Sequence, residues 1–320
     1  MNQLFRPAFY LGALLVGMQL LPGCQEGHRS DANEASLAST SVSAAASSDL
    51  VETGGRPEGW DAYWYNGQAE VNSYSVQQER YGEDRPSKAV LVFVTEPFLP
   101  ETQVKDDGQP RGKEASISVF KLNRVEHFTT GIYDYSLMLS VFTPVSLDQY
   151  PYTLKSTFSS QDWCGQVWQQ ANRRGKAFQV QTRSYFQGEG DEEQTLAAEY
   201  LEDELVSRVR LDPTAVPTGE VSLVPAAKFS RLRHVQPSAE RAQVSLEARD
   251  DVLELTIDFG KLDRQVSYRF DSVFPHQLQG WTETYQGKRL SEAKLEKSIR
   301  AAYWGQNAGR FDAMRDTLKL

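Results

Sequence analysis

The chain has 320 residues, 40% hydrophobic and 11% aromatic, with a net charge of −9. That much apolar material supports a sizeable core in one or two domains. An acidic balance with no offsetting basic stripe argues against a nucleic-acid partner.

Residues 1–23 have the parts of a secretory signal: Arg6 near the start, then the apolar run Phe9–Leu21. A run of about 13 residues falls short of the roughly 20 that cross a bilayer core as a helix. It ends in Leu21-Pro22-Gly23-Cys24, which resembles the lipobox of bacterial lipoproteins. That resemblance implies cleavage before Cys24 and acylation of its thiol and new amine. Several acyl chains hold a protein firmly, because each buried CH₂ adds roughly 0.8 kcal/mol. Gln25 in place of Asp implies the outer membrane by the sorting habit of such lipoproteins. The expected division is a signal peptide at 1–23, a lipidated Cys24 with a flexible tether at 24–59, and one β-rich envelope domain at 60–320. Residues 25–56 are too poor in large apolar side chains to order themselves.

The folded part opens on Tyr63-Trp64-Tyr65-Asn66-Gly67, an aromatic cluster before a turn. Glu70–Tyr81 is extended in character, and Gly82–Ser87 reads as a turn. Ala89–Val94 is a continuous apolar run, predicting a strand buried on both faces and ended by Pro97. Further strands are expected over Ser116–Leu122, Ile132–Phe142, Tyr152–Phe158 and Ala177–Phe186. Gln161–Arg173 fits a helix or a strand, since Trp163, Val167 and Trp168 suit either. Leu196–Arg210 reads as the best helix, with Leu196, Tyr200, Leu201, Leu205 and Val209 inside. Its acids Glu199, Glu202, Asp203 and Glu204 are expected outside. Phe229–Val235, Ala242–Ala248, Val252–Phe259, Val266–Phe274 and Gln277–Tyr285 alternate as strands. Residues 290–304 fit a final strand or a helix. The fold class is therefore α+β, mainly antiparallel β: a large curved sheet or half-barrel with one or two packed helices.

Chemistry-bearing residues are sparse. Trp163-Cys164-Gly165 resembles a thioredoxin active site, but Val167 stands where the resolving cysteine belongs. Near a helix start Cys164 would gain thiolate character, and His127, His234 or His276 could serve as its base in a cysteine hydrolase. The alternative is a buried, inert cysteine among tryptophans. With Cys24 acylated, Cys164 has no disulfide partner. The loop Gly188-Glu189-Gly190-Asp191-Glu192-Glu193 offers carboxylates to a cation but lacks the alternating spacing of calcium loops. It reads equally as a solvated turn. Arg173, Arg174 and Lys176 suit lipid head groups or a solvated helix end. No metal or cofactor motif, phosphate loop or nucleophile elbow is present.

Several segments together resemble a family of uncharacterised bacterial lipoproteins, some labelled septum formation inhibitor. They are Tyr63–Glu70, Phe93–Pro100, Thr130–Ser136, Trp163–Gly165, Ser184–Glu189 and Tyr303-Trp304. The resemblance spans most of residues 60–304 and implies no activity. No Ser-rich Arg motif of the septum-formation inhibitors opens this chain. A likeness to curved-sheet lipoprotein carriers rests on architecture alone. The leading expectation is a membrane-anchored lipoprotein whose sheet binds an apolar ligand or an envelope partner. A hydrolase using Cys164 and a structural scaffold are the alternatives.

Overall fold

The computed structural model describes residues 57–109 and 115–320. The expected signal peptide, Cys24 and the expected tether up to residue 56 lie outside the described residues. A short helix, α1 (Trp60–Trp64), precedes β1 (Ala69–Arg80), β2 (Glu83–Leu99), a two-residue β3 (Val104–Lys105), β4 (Ile117–Thr130) and β5 (Tyr133–Pro144). β6 (Lys155–Asp162), β7 (Gly165–Arg174), β8 (Ala177–Ser184), β9 (Glu192–Leu196) and β10 (Tyr200–Leu201) follow. After helix α2 (Leu205–Leu211) come β11 (Gly219–Val224) and helix α3 (Ala227–Arg233). The chain then runs through β12 (Glu240–Arg249), β13 (Val252–Phe259), β14 (Arg264–Asp271), β15 (Leu278–Tyr285) and β16 (Lys288–Ala301) to helix α4 (Ala313–Thr317).

The strands form one open, curved sheet of 16 strands that runs from β10 through β16 and β1 to β9. Its ladders are antiparallel apart from the short β10–β11 pair. Register fixes two ends. At the base, Ala69 pairs with Ala301. At the mouth lie the β1–β2 turn at Tyr81-Gly82 and the β4–β5, β6–β7 and β8–β9 turns.

Alternation places one face of each strand inside the curve. Tyr74, Leu91, Phe93, Phe120, Leu137, Leu139, Leu255, Phe259 and Phe270 are buried there in one large core. Fully burying a large apolar side chain contributes about 1.5–3 kcal/mol, so this face carries much of the stability. Three helices fill the concavity. α1 closes the base with Trp60 and Trp64 against Phe120, and α2 adds Leu205, Val209 and Leu211. α3 lies at the mouth. On the outer face, Val90, Val92 and Val94 pack against Leu318 and Leu320 of the C-terminal segment. That covering explains why β2 is apolar on both faces.

Several expectations need correction. Pro97 does not end β2, which continues to Leu99 while pairing with β4. Two open readings are decided for the strand: residues 161–173 are the end of β6, a turn, and β7, and residues 290–301 are the body of β16, the expected final strand. Leu196–Arg210 is not one helix. Leu196 ends β9, Glu202–Glu204 make a 3-10 turn, and only Leu205–Leu211 is α-helical. The Glu204 carboxylate accepts the Leu201 amide at 3.0 Å and so caps the 3-10 turn that precedes α2. Phe229–Val235 is mostly helix rather than strand. Its Phe229 and Leu232 are buried at a spacing of three, and the carboxylates of Glu202 and Asp203 accept the amides of Ala226 and Ala227.

Candidate functional site

The space beneath α3 is where chemistry-bearing side chains gather. Arg264 donates to both oxygens of Glu202 (2.6 and 2.7 Å) and through Nε to Glu283 (2.8 Å). Lys228 of α3 donates to both oxygens of Glu126 (2.7 and 2.8 Å), which also accepts from Arg124 (3.0 Å). The Arg124 guanidinium stacks on Trp281, 4.3 Å from its centroid. Three cations thus meet three carboxylates, and Asp203 is left over. Burial and the neighbouring Glu202 carboxylate push Asp203 up to about 7, against the pull of the Ala227 amide. These groups line a cavity of about 30 Å³, room for a water or two. An acid titrating near neutrality is poised for proton transfer, but a space of this size admits no substrate. The cluster holds α3 and the 3-10 turn to the sheet.

A second void is large enough for a ligand. It occupies about 270 Å³ at the mouth, roughly nine water volumes. β7 and β8 provide one wall with Val167, Gln169 and Thr182, and the β8–β9 loop provides Phe186 and Glu189. The opposite wall is the end of α3, with Arg231 and His234, followed by Val235 and Pro237. His234 ends α3 in the left-handed conformation at φ 54°. This turns its ring to the Glu189 carboxylate, with Nδ1 at 2.6 Å. Arg231, buried beneath Phe186, donates to the same oxygen at 3.0 Å. Ser184 donates to the other oxygen at 3.1 Å. The result is an apolar cleft with one ionic corner, suited to a ligand with an apolar body and a polar head. A smaller void of about 10 Å³ shares Gln169 with this cleft and Asp203 with the inner cavity. Spaces therefore run along the underside of α3.

Placement of the predicted residues differs sharply from expectation. Cys164 is exposed in the β6–β7 turn, neither buried among tryptophans nor at a helix start. Its amide donates to Asp162, and among the described residues no histidine is hydrogen-bonded to it. His234 pairs with Glu189, and His276 at the base faces the Asp271 carbonyl at 3.1 Å, burial pushing its imidazole down. His127 lies on β4, opposite Ser136 of β5. Of the acidic loop, Glu189 is drawn into the cleft rather than left to solvent. Arg173 ends no helix. It is buried against Tyr152 and Phe178 and donates to the carbonyls of Ala198 and Glu199. Glu202 and Glu204, expected outside, are fully buried. Among the described residues no cluster of His, Cys, Asp and Glu could hold a metal ion, and no helix is long and apolar enough to cross a membrane.

Sequence reasoning missed the Glu189–Arg231–His234 corner. Arg231 and His234 stand three apart, a faint sign of a shared helix face, but nothing local announces a carboxylate more than forty residues away. No match to this chain is found among protein-family models, curated proteins or solved structures.

Proposed function

We propose that this chain is a lipid-anchored bacterial envelope protein, kin to the uncharacterised lipoproteins it resembles, that binds a small amphipathic ligand in the mouth cleft. The anchor rests on Leu21-Pro22-Gly23-Cys24 after its short apolar run. The ligand site rests on one observation: an open void of about 270 Å³ with apolar walls and the Glu189–Arg231–His234 corner. The rest of the concave face is packed with α1, α2 and aromatic side chains. The notion of an apolar ligand lying along the bare sheet thus narrows to this cleft. The ligand's body would rest on Val167, Phe186, Val235 and Pro237, and its head would meet Arg231 and His234.

The test is displacement of the fluorescent amphiphile N-phenyl-1-naphthylamine from purified full-length protein, together with solvent extraction of small amphiphiles that copurify. Val167→Trp fills the cleft, and it should abolish probe binding while the protein stays folded, at a cost of about 1–3 kcal/mol because Val167 is almost fully buried. Probe binding unchanged by Val167→Trp would sink the reading. Cys24→Ser should release the protein from the membrane fraction, and retention there would refute the anchor.

A further inference from the structure

We propose that Trp163 and Tyr185 form a lip through which the cleft opens onto the surface of a lipid bilayer, with Ile132 and Tyr81 extending that surface along the mouth. The proposal builds on the cleft reading for what is transferred, but the docking itself stands on separate observations. Four successive hairpin turns share the mouth end, and each presents a large apolar side chain. Ile132 is 82% exposed, Tyr185 71%, Trp163 69% and Tyr81 59%. Isolated exposed apolar residues are ordinary; these four stand on neighbouring turns at one end of a single sheet. Trp and Tyr are the residues that favour the membrane interface, where an apolar ring meets a wet edge.

The lip is braced and continuous with the cleft. Gly165 follows Trp163 and Cys164 in the turn, and a Cβ there would come within 2.8 Å of the Tyr185 ring. Glycine therefore lets Tyr185 pack directly over the hairpin backbone. The Tyr185 ring meets Phe186 edge-on, with centroids 5.4 Å apart, and Phe186 lines the cleft beside Val167. An apolar track thus leads from the exposed turn into the void. An amphiphile could follow it without its apolar part crossing water.

Two arguments favour a bilayer over a charged protein partner. Arginines around the mouth are paired within the protein: Arg289 with Asp84, Arg85 with Glu83, Arg183 with Glu193 and Arg233 with Glu79. No patch of unpaired arginines is left among the described residues there to select an acidic partner. The chain's own expected anchor is the second argument. Residues 25–56 can span at most about 110 Å, while the 12 residues of β1 measure about 40 Å. Although the chain enters the sheet at the base, the mouth can reach the bilayer that holds Cys24.

The experiment uses the full lipidated chain in phosphatidylcholine vesicles containing brominated lipid, which quenches tryptophans at the interface. Trp163 and Trp304 are both exposed, at opposite ends of the sheet. Trp163→Phe should remove the quenched part of the emission, and Trp304→Phe should leave it intact. Replacing part of the lipid with phosphatidylglycerol should add little quenching. Trp163→Ser/Tyr185→Ser should slow transfer of N-phenyl-1-naphthylamine from vesicles to protein about tenfold, because membrane binding scales with the apolar area buried and both rings are removed. The same variant should bind probe added from water as the parent does. Absence of quenching, or quenching that disappears in Trp304→Phe instead, overturns the lip. Loss of binding from water in the Val167→Trp protein, with quenching retained, leaves the lip and the cleft each supported by its own result.

Discussion

The base and the mouth of the sheet are each closed by a short helix, yet the two closures differ in kind. At the base, α1 and α2 present aromatic and aliphatic side chains that fill the space, and buried ion pairs of Arg208 and Arg210 lie among them. Arg210 donates to both oxygens of Glu70 at 2.7 and 2.8 Å, with its guanidinium held between Trp64 and Phe93. Burial pushes the Glu70 carboxyl up, but Arg210 with Asn72 and Tyr63 brings it down to about 2. At the mouth, α3 is held by paired charges from several directions: Lys228 to Glu126, Arg231 to Glu189 and Arg233 to Glu79. Voids remain beneath it. The base is closed by packed apolar side chains, whereas the mouth helix is held by separate, largely buried ion pairs, each of which can be broken on its own. The base is filled by side chains, and the mouth keeps an open void beside its helix.

The comparison can be broken most severely at Arg210. Arg210→Met leaves Glu70 buried and unpaired, and should destabilise the protein by about 3–5 kcal/mol in urea unfolding. Adding Glu70→Leu should recover most of that loss. A loss within experimental error for the single variant would show that the base depends little on the pair.

Asp203 offers a sharper test at the mouth. Its folded pKa of about 7 lies above the unfolded value near 3.9. The stability linked to it is therefore complete below about pH 4 and declines as pH rises through 7. Asp203→Asn should remove that decline and stabilise the protein at pH 8 by on the order of 2–4 kcal/mol. Parallel pH–stability curves for variant and parent would refute the assignment.

Smaller effects are expected where the latches are loosened. Glu79→Gln/Glu189→Gln should cost about 1–3 kcal/mol globally but speed hydrogen exchange in α3 well beyond any change in α1. Equal acceleration at both helices would erase the distinction between the two closures. Cys164→Ser should change stability by no more than about 0.5 kcal/mol, because the thiol is exposed in a turn. A larger loss would mean that the β6–β7 turn is more than a lip.

Period-two patterning made the sheet legible. Val252–Phe259 is the strand read from alternation, and the α+β class follows from strands succeeding strands. Misreadings cluster where a partner distant in sequence decides the outcome. Glu202 and Glu204 look like the polar side of an amphipathic helix until Arg264 and Arg208 meet them inside. Phe229–Val235 alternates well enough for a strand, yet Glu202 and Asp203 cap it into a helix. Trp163 and Cys164 have core-type chemistry, and only the tight β6–β7 turn exposes them. The cleft was the least legible feature, because it joins β7 and β8 to the far end of the strand order through α3.

Strand order around the sheet has a consequence for how the polypeptide could be rewired. It starts at β10 and ends at β9, while the first and last strands in sequence, β1 and β16, lie side by side in its middle. Joining the segment after β16 to the segment before β1 through a linker that keeps α1 and α4, and opening the backbone between Leu196 and Tyr200, would give a permutant whose strand sequence matches its spatial order. The β1–β16 ladder, now closed across more than 200 residues, would become a local hairpin. With contact order so reduced, the permutant should fold faster than the natural arrangement.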